Sequence, residues 1–255
     1  MEENEAIHIL DVTPENVEET GIFCIKNKKA PGYHSKIAWF KSKLNHGLKI
    51  KIAVDAFDKQ LGFIEYLPSE LAWRPIKATN YLFIQCIVLF GKASRNKGIG
   101  SMLIQLCEQD ALKNKKSGIC TMSSNGAWMA NKQLFEKNEF TLAQELDRFE
   151  LMVKTFDTKQ PIPSFNDWTK EQAKYKGWNL IYSDQCPWHD KSVTDLLNCA
   201  MDHDFELQIV KLETPEAAQK APSGFGTFSL LKDGRLLADH YISRTRFENI
   251  LKKEQ

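Results

Sequence analysis

The chain has 255 residues, 42% of them hydrophobic and 26% charged, which suits a folded globular protein of one large domain or two small ones. Its formal charge of +1 removes the bulk electrostatic case for nucleic acid or an anionic membrane as partner, and no apolar run is long enough to span a bilayer. The acidic start Met1-Glu2-Glu3-Asn4-Glu5 lacks a secretory pattern, and Cys24, Cys86, Cys107, Cys120, Cys186 and Cys199 form neither a CxxC pair nor a metal-ligand spacing. The expectation is a cytoplasmic protein with reduced thiols and no metal.

Ala6–Val12 reads as a strand. Thr13-Pro14-Glu15-Asn16 opens a helix, with Thr13 as N-cap and Pro14 at the first helical position. A second helix is predicted over His34–Asn45, where Ile37, Phe40, Lys41 and Leu44 share a face and Gly47 ends the run. Leu48–Asp55 and Leu61–Leu67 are strands joined by the polar turn Phe57-Asp58-Lys59-Gln60. After a loop over Pro68–Thr79 comes the apolar strand 81–90, then the basic glycine turn Arg95-Asn96-Lys97-Gly98-Ile99-Gly100, then an amphipathic helix to about Lys115. Gly118–Ser123 is a buried strand, Ala130–Lys137 a short helix, and Phe149–Val153 a closing strand.

Lys154–Lys170, with Pro161 and Pro163 in a polar stretch, reads as a linker. Beyond it the pattern predicts a strand at Trp178–Tyr182, a helix at Pro187–Asp202, a strand at Phe205–Leu212 and a short helix at Thr214–Lys220. A hairpin through Lys232-Asp233-Gly234 and a helix at Thr245–Lys253 end the chain. The division is 1–156, a linker over 157–176, and 177–255.

A small-residue turn between an apolar strand and a helix lets the backbone approach a ligand closely, and the helix start offers unpaired N–H groups and a positive dipole end. Such a place holds phosphate, so a pyrophosphate-bearing cosubstrate is expected. The order of elements through Lys154, with Arg95-x-x-Gly98-x-Gly100 between strand and helix, resembles the GNAT (Gcn5-related) N-acetyltransferase family. So does Leu134-Phe135-Glu136-Lys137-Asn138-Glu139-Phe140. The resemblance implies an α/β (α+β) GNAT fold with a mixed, splayed central sheet, and acetyl-CoA as cosubstrate. It also implies that Arg95, Asn96, Lys97, Gly98, Ile99, Gly100 and Ser101 hold the pyrophosphate, that Ile87, Val88 and Leu89 meet the pantetheine arm, and that Asn131 and Lys137 touch the cosubstrate. Phe135 stands where the family commonly has a tyrosine able to protonate the leaving thiolate, and phenylalanine has no proton to give.

Acyl transfer to an amine needs a base and a polarised thioester. Glu65 near the end of its strand and Glu70 in the next loop are the candidate bases, and Tyr66 is a candidate proton donor. Trp73 is expected to wall an acceptor and Arg74 to pair a carboxylate. Against these stand plainer readings: Glu65 facing solvent on an alternating strand, Arg74 in a structural ion pair, His34 and His46 as surface histidines.

Residues 62–75, Ser123-Ser124, Phe149-Glu150-Leu151 and Gln185-Cys186-Pro187 resemble a narrower group, GNAT enzymes with a YoaP-like C-terminal domain. Ile181 to His189, a strand and a turn that puts Cys186 at a helix start, resembles the active segment of thioredoxin-like proteins. A helix N-terminus favours a thiolate, so Cys186 is the candidate reactive or substrate-contacting thiol. His189 occupies the resolving-cysteine position and Gly226 lies near the expected cis-proline, so an internal CxxC disulfide cannot form. The function read from the sequence is N-acetyl transfer from acetyl-CoA to a small-molecule or peptide amine, with no nucleic acid or membrane partner and with a homodimer compatible. The alternative is a non-catalytic acyl-CoA-binding protein, or a thiol-sensing one that uses Cys186.

Overall fold

The computed structural model describes residues 7–21, 24–25, 27–91, 94 and 97–254. The strands are β1 (His8–Asp11), β2 (Lys49–Val54), β3 (Gln60–Pro68), β4 (Ile76–Lys77), β5 (Tyr81–Leu89), β6 (Gly118–Ser123), β7 (Thr141–Leu146), β8 (Phe149–Thr155), β9 (Ser164–Phe165), β10 (Trp178–Tyr182), β11 (Leu207–Lys211), β12 (Phe228–Lys232) and β13 (Arg235–Ala238). The α-helices are α1 (Val17–Thr20), α2 (Pro31–Leu44), α3 (Ile99–Lys113), α4 (Lys132–Glu136), α5 (Trp168–Gln172), α6 (Trp188–Asp202), α7 (Pro215–Gln219) and α8 (Arg244–Glu254). They fall into two compact units, Met1–Phe23 with Lys41–Ala72 and Lys77–Phe165, and Cys24–Phe40 with Trp73–Ile76 and Asn166–Gln255.

The first unit is α/β (α+β), built on a seven-stranded sheet in the order β1-β2-β3-β5-β6-β8-β7. Every neighbouring pair in it is antiparallel except β5 and β6, which makes the sheet mixed. Leu103, Ile104, Cys107 and Ala111 recur at helical spacing on α3 and bury against Ile64, Tyr66, Leu82, Ile84, Ile119 and Met152. Strand alternation therefore puts Ile64 and Tyr66 under α3 and Phe63 and Glu65 on the opposite face.

The second unit has a four-stranded sheet, β11-β10-β12-β13, with β10 and β11 parallel and the other pairs antiparallel. Helices α6 and α8 pack on each other. Gly226 sits at φ +76°, and a Cβ there would stand 2.8 Å from the Trp73 carbonyl oxygen and 2.9 Å from Arg74 Cα, so only glycine fits.

Four sequence expectations change. The first helix, α1, starts at Val17 with Asn16 as its N-cap, not at Pro14 behind Thr13. Strand β7 was not foreseen, because an edge strand exposed along nearly its whole length carries no alternating apolar signal. The segment 157–176 is not a plain linker: α5 forms within it, capped by Asp167, whose side chain accepts from the Thr169 N–H, and anchored by the buried Trp168. The division at 156 also differs from the observed units, since Cys24–Phe40 and Trp73–Ile76 belong with the C-terminal residues.

His189 lies in the interior of the second unit, 1% exposed, with its ring against Phe228, Phe225 and Tyr241. Its Nδ1 is 2.8 Å from the Ser183 carbonyl oxygen, which can only accept, so Nδ1 carries the proton. Nε2 is then a buried lone pair, without a hydrogen-bond partner among the described residues. Burial pushes the imidazole pKa down to about 4, helped by the charges of Arg74 and Lys36 and opposed by the Ser183 hydrogen bond. The unfolded chain protonates this residue near its free value of about 6.5 while the folded chain does not until about 4, so folding stability falls as pH drops through that window and levels off below it. The loss amounts to roughly 3 kcal/mol. In urea unfolding at pH 7 and pH 4.5, His189→Asn, which keeps a donor for Ser183 but does not titrate, is expected to lose about 2–3 kcal/mol less than the parent on acidification. Equal losses in the two proteins would contradict a neutral, buried His189.

Candidate functional site

The ladder between β5 and β6 pairs only Tyr81–Ile84 with Gly118–Thr121. β5 then continues to Leu89 beside β3, while Met122 and Ser123 of β6 continue beside β8. At the point of parting, the Thr121 hydroxyl donates to the Ile84 carbonyl at 3.0 Å. The β3–β5 register slips at the same place, Glu65 opposite Cys86 and Tyr66 opposite Ile84, so Gln85 bulges out of the pairing. Beyond it, alternate backbone groups of β5 face a gap instead of β6.

Helix α3 begins at the end of that gap. Gly98 caps it in the left-handed region at φ +75°, no side chain caps it, and the first intrahelical bond there is Met102 N–H to the Gly98 carbonyl at 2.9 Å. The amides of Ile99, Gly100 and Ser101 thus have no intrahelical acceptor. A Cβ on Gly98 would meet nothing within 4 Å, so the space before the helix is open. A Cβ on Gly100 would meet Leu134 Cδ1 at 3.0 Å and Leu89 Cδ1 at 3.7 Å. The end of β5, the first turn of α3 and α4 therefore converge. Of the residues expected to hold a pyrophosphate cosubstrate, Ile87, Val88, Leu89, Lys97, Gly98, Ile99, Gly100 and Ser101 line this junction; Arg95 and Asn96 lie outside the described residues.

Two further candidates there have structural duties. Asn131 caps α4 by accepting from the Gln133 N–H at 3.0 Å, and its amide donates to Asn125 Oδ1. Lys137 is the exposed residue that ends the same helix. Sequence reasoning missed Asn138, which is buried and donates both to Ser101 Oγ at 3.0 Å and to the Leu134 carbonyl at 2.8 Å, tying α4 to the first turn of α3.

The three proposed catalytic residues do not gather at the gap. The Tyr66 hydroxyl donates to Asp110 Oδ2, which also accepts from Lys49 at 2.7 Å. Burial, then this hydrogen bond, raise the phenol pKa far above its ordinary value, while Lys49 and Tyr66 hold Asp110 low despite its partial burial. Asp110 lies roughly 16 Å down α3 from its first turn, so Tyr66 is a core anchor, not a proton donor at the gap. Glu70 accepts from the Asn80 N–H at 2.6 Å at the start of β5, the end away from the opening, and its role is to shape that loop. Glu65 is buried at 1% exposure, against the plainer reading of a solvent-facing carboxylate, and lies in register with Cys86 beside the bulge. Tyr66 flanks the same bulge, opposite Ile84, but on the face under α3, so Glu65 is the carboxylate of the three beside the opening.

Trp73, Arg74 and Cys186 all belong to the second unit. Trp73 is buried edge-on against Trp39 with ring centroids 5.4 Å apart. Arg74 is buried, its Nη1 donating to the Phe225 carbonyl and its guanidinium stacked 4.4 Å over the Phe225 ring. It therefore clamps a loop, contrary to the expected pairing with an acceptor carboxylate. Cys186 is half-buried, and its carbonyl accepts from the His189 N–H at 3.2 Å.

A pocket of about 270 Å³ opens where β6 ends, lined by Ser124, Asn125, Glu145, Arg148 and Glu150 among others. Glu150 accepts from Ser123 Oγ at 2.9 Å and from Lys132 Nζ at 2.6 Å, and Arg148 donates to Ser124 Oγ at 2.9 Å. These charges come from separate elements, so only the folded register brings them together. Phe135, fully buried 5.6 Å from the Phe140 ring, is part of the core beneath α3.

A family model described as YoaP-like matches residues 206–249. The chain is 29% identical over 248 residues, 95% of its own length and 97% of the other's, to the uncharacterized N-acetyltransferase YoaP of Bacillus subtilis (strain 168). Among solved structures it is similar to an acetyltransferase of the GNAT family from Staphylococcus aureus Mu50, with 15% identity, 60% of this chain and all of the other covered, and a TM-score of 0.44. It is also similar to the PaiA N-acetyltransferase of Thermoplasma acidophilum in complex with coenzyme A, with 17% identity, 59% and 99% covered, and a TM-score of 0.42.

Proposed function

We propose that this chain is an acetyl-CoA-dependent GNAT-type N-acetyltransferase that moves the acetyl group directly to an amine. The observation that carries the reading is the parting of β5 from β6 directly before an uncapped helix start. The first amides of α3, which have no intrahelical acceptor, the open space before Gly98 and the close-packed Gly100 suit a diphosphate, and the gap beside Gln85–Leu89 suits an extended amide-bearing arm. The likeness to the Bacillus subtilis N-acetyltransferase along nearly the whole chain supports the same reading.

When bound, acetyl-CoA supplies the thioester acyl group. Backbone groups of β5 in the gap are the available donors to polarise its carbonyl, and α3 holds the diphosphate. Glu65, beside the bulge, takes a proton from the ammonium form of the acceptor, directly or through water, leaving the free amine that attacks. The carbon–nitrogen bond forms, the carbon–sulfur bond breaks, and the proton shed by the attacking nitrogen is the one the sulfur needs. From the free amine onward no separate acid is required, which fits a site where Phe135 is core and Tyr66 is engaged with Asp110.

For the second unit we infer a thioredoxin-like fold. The succession β10, α6, β11, α7, β12, β13, α8 around a β11-β10-β12-β13 sheet supports it, as does Cys186 at the head of α6. His189 in the resolving position is used for packing, which argues for a retained scaffold without disulfide exchange.

Two experiments test the enzyme. Gly98→Glu and Gly100→Glu put a carboxylate in the phosphate position and are expected to weaken coenzyme A binding at least a hundredfold in calorimetry, about 2.7 kcal/mol. Unchanged affinity would remove the diphosphate from this turn. Coenzyme A release with a panel of small amines is expected to fall by 10²-fold or more in Glu65→Gln, in line with the usual worth of a general base. Tyr66→Phe and Glu70→Gln are expected to stay within about threefold of the parent once folding is matched. A collapse in either of those two with Glu65→Gln unaffected would reverse the assignment.

A further inference from the structure

The second unit holds a cluster that the proposed acetyl transfer does not use. We propose that Cys199, His203 and Glu248 form a divalent transition-metal site of the zinc class at the C-terminal end of α6, in which Arg244 serves as the resident cation of the metal-free protein.

Residues four apart on a helix stand one above the other, so Cys199 and His203 present a sulfur and an imidazole along one face. Glu248 comes from α8, which packs against α6. One ligand atom from each of the three lies within 4.8 Å of the other two. Among the described residues this is the cluster of metal-ligating side chains that closes to such a distance, whereas His189 is turned into the core toward Ser183.

The charges around it favour a cation. Arg244 Nε donates to Glu248 at 2.8 Å and Nη2 to Asp202 at 2.6 Å, so one guanidinium serves two carboxylates. α6 also ends here, with His203 as its C-cap, so the negative end of the helix dipole lies at the cluster. The cluster therefore carries an excess of negative charge that a single arginine does not cancel. A thiolate, an imidazole and a carboxylate are the borderline-soft set that zinc takes in tetrahedral sites, with water free to fill the fourth position. Binding breaks the Cys199 S–H bond, forms a sulfur–metal bond and releases the proton to water, while Arg244 leaves Glu248 and keeps Asp202. The motif is hidden in sequence because its third member comes from another helix.

The test uses the full-length, metal-stripped protein and cobalt(II) as the probe, and does not depend on acetyl transfer. One cobalt per chain is expected, with a near-ultraviolet thiolate-to-cobalt band and visible bands of a tetrahedral ion, both displaced by zinc. Cys199→Ser should abolish the thiolate band and Cys186→Ser should keep it. His203→Gln, an exposed position where misfolding is not at issue, should weaken cobalt binding at least tenfold. Arg244→Gln should tighten it about tenfold by removing the competing cation. The proposal is overturned by a parent protein that gives no band, by a band that survives Cys199→Ser or vanishes in Cys186→Ser, or by affinity that is unmoved in His203→Gln.

Discussion

Everything distinctive in the first unit follows from a ladder that stops early. β5 and β6 share four residue pairs, and then each goes on with its other neighbour. A buried backbone amide without a partner costs on the order of 1–3 kcal/mol, so a sheet parts in its middle only where something polar is to fill the place. The parting is fixed from both sides, by the bulge at Gln85 and by Thr121 reaching back to the Ile84 carbonyl. Leu89, Gly100 and Leu134 then meet at the mouth, so the opening and the uncapped helix start form one continuous feature.

The strands and α3 were legible in the sequence because their apolar residues recur with the right period. Those of β6 and β10 agree residue for residue with the expectation. The turn at Gly98 was legible for a different reason: a strand, a glycine and an amphipathic helix in that order leave few conformations to choose from. What escaped was of two kinds. β7 has no buried face to impose a pattern. Tyr66 and Glu70 are engaged away from the gap for different reasons: a sequence tells which residues share a strand face but not which face the helix covers, and it does not tell that the loop carrying Glu70 folds back onto the start of β5. Parity already separated Tyr66 from Glu65; only the packing of α3 says that Tyr66 is the one beneath the helix.

The second unit illustrates a harder limit. Cys24–Phe40 and Trp73–Ile76 join a segment that begins only at Asn166, and no local shift in composition marks either piece. Gly226 and Arg74 do record the join, one by lacking a side chain where Trp73 and Arg74 approach and the other by reaching the Phe225 carbonyl. Read alone, an arginine before a proline suggests a ligand contact or an ion pair with equal force. His189 is a similar case. Its place three residues after Cys186 suggests chemistry, yet the proton on Nδ1 is committed to Ser183 and burial keeps the ring neutral.

The same physics explains which parts of such a site tolerate change. Where affinity comes from main-chain amides and a helix dipole, most side chains in the turn are free to vary, and the constraint falls on residues that must lack one. Here that is Gly98, whose left-handed φ starts the helix without a cap, and Gly100, which admits Leu134. A proton donor for the departing thiolate is a looser requirement, because the attacking amine brings the proton the sulfur takes. A phenylalanine at position 135 packed against Phe140 then trades a hydroxyl for core burial without closing the reaction path. In the proposed reaction the strict demand lies on the other side of the gap, in generating the free amine, and Glu65, beside the bulge, is the carboxylate proposed to meet it.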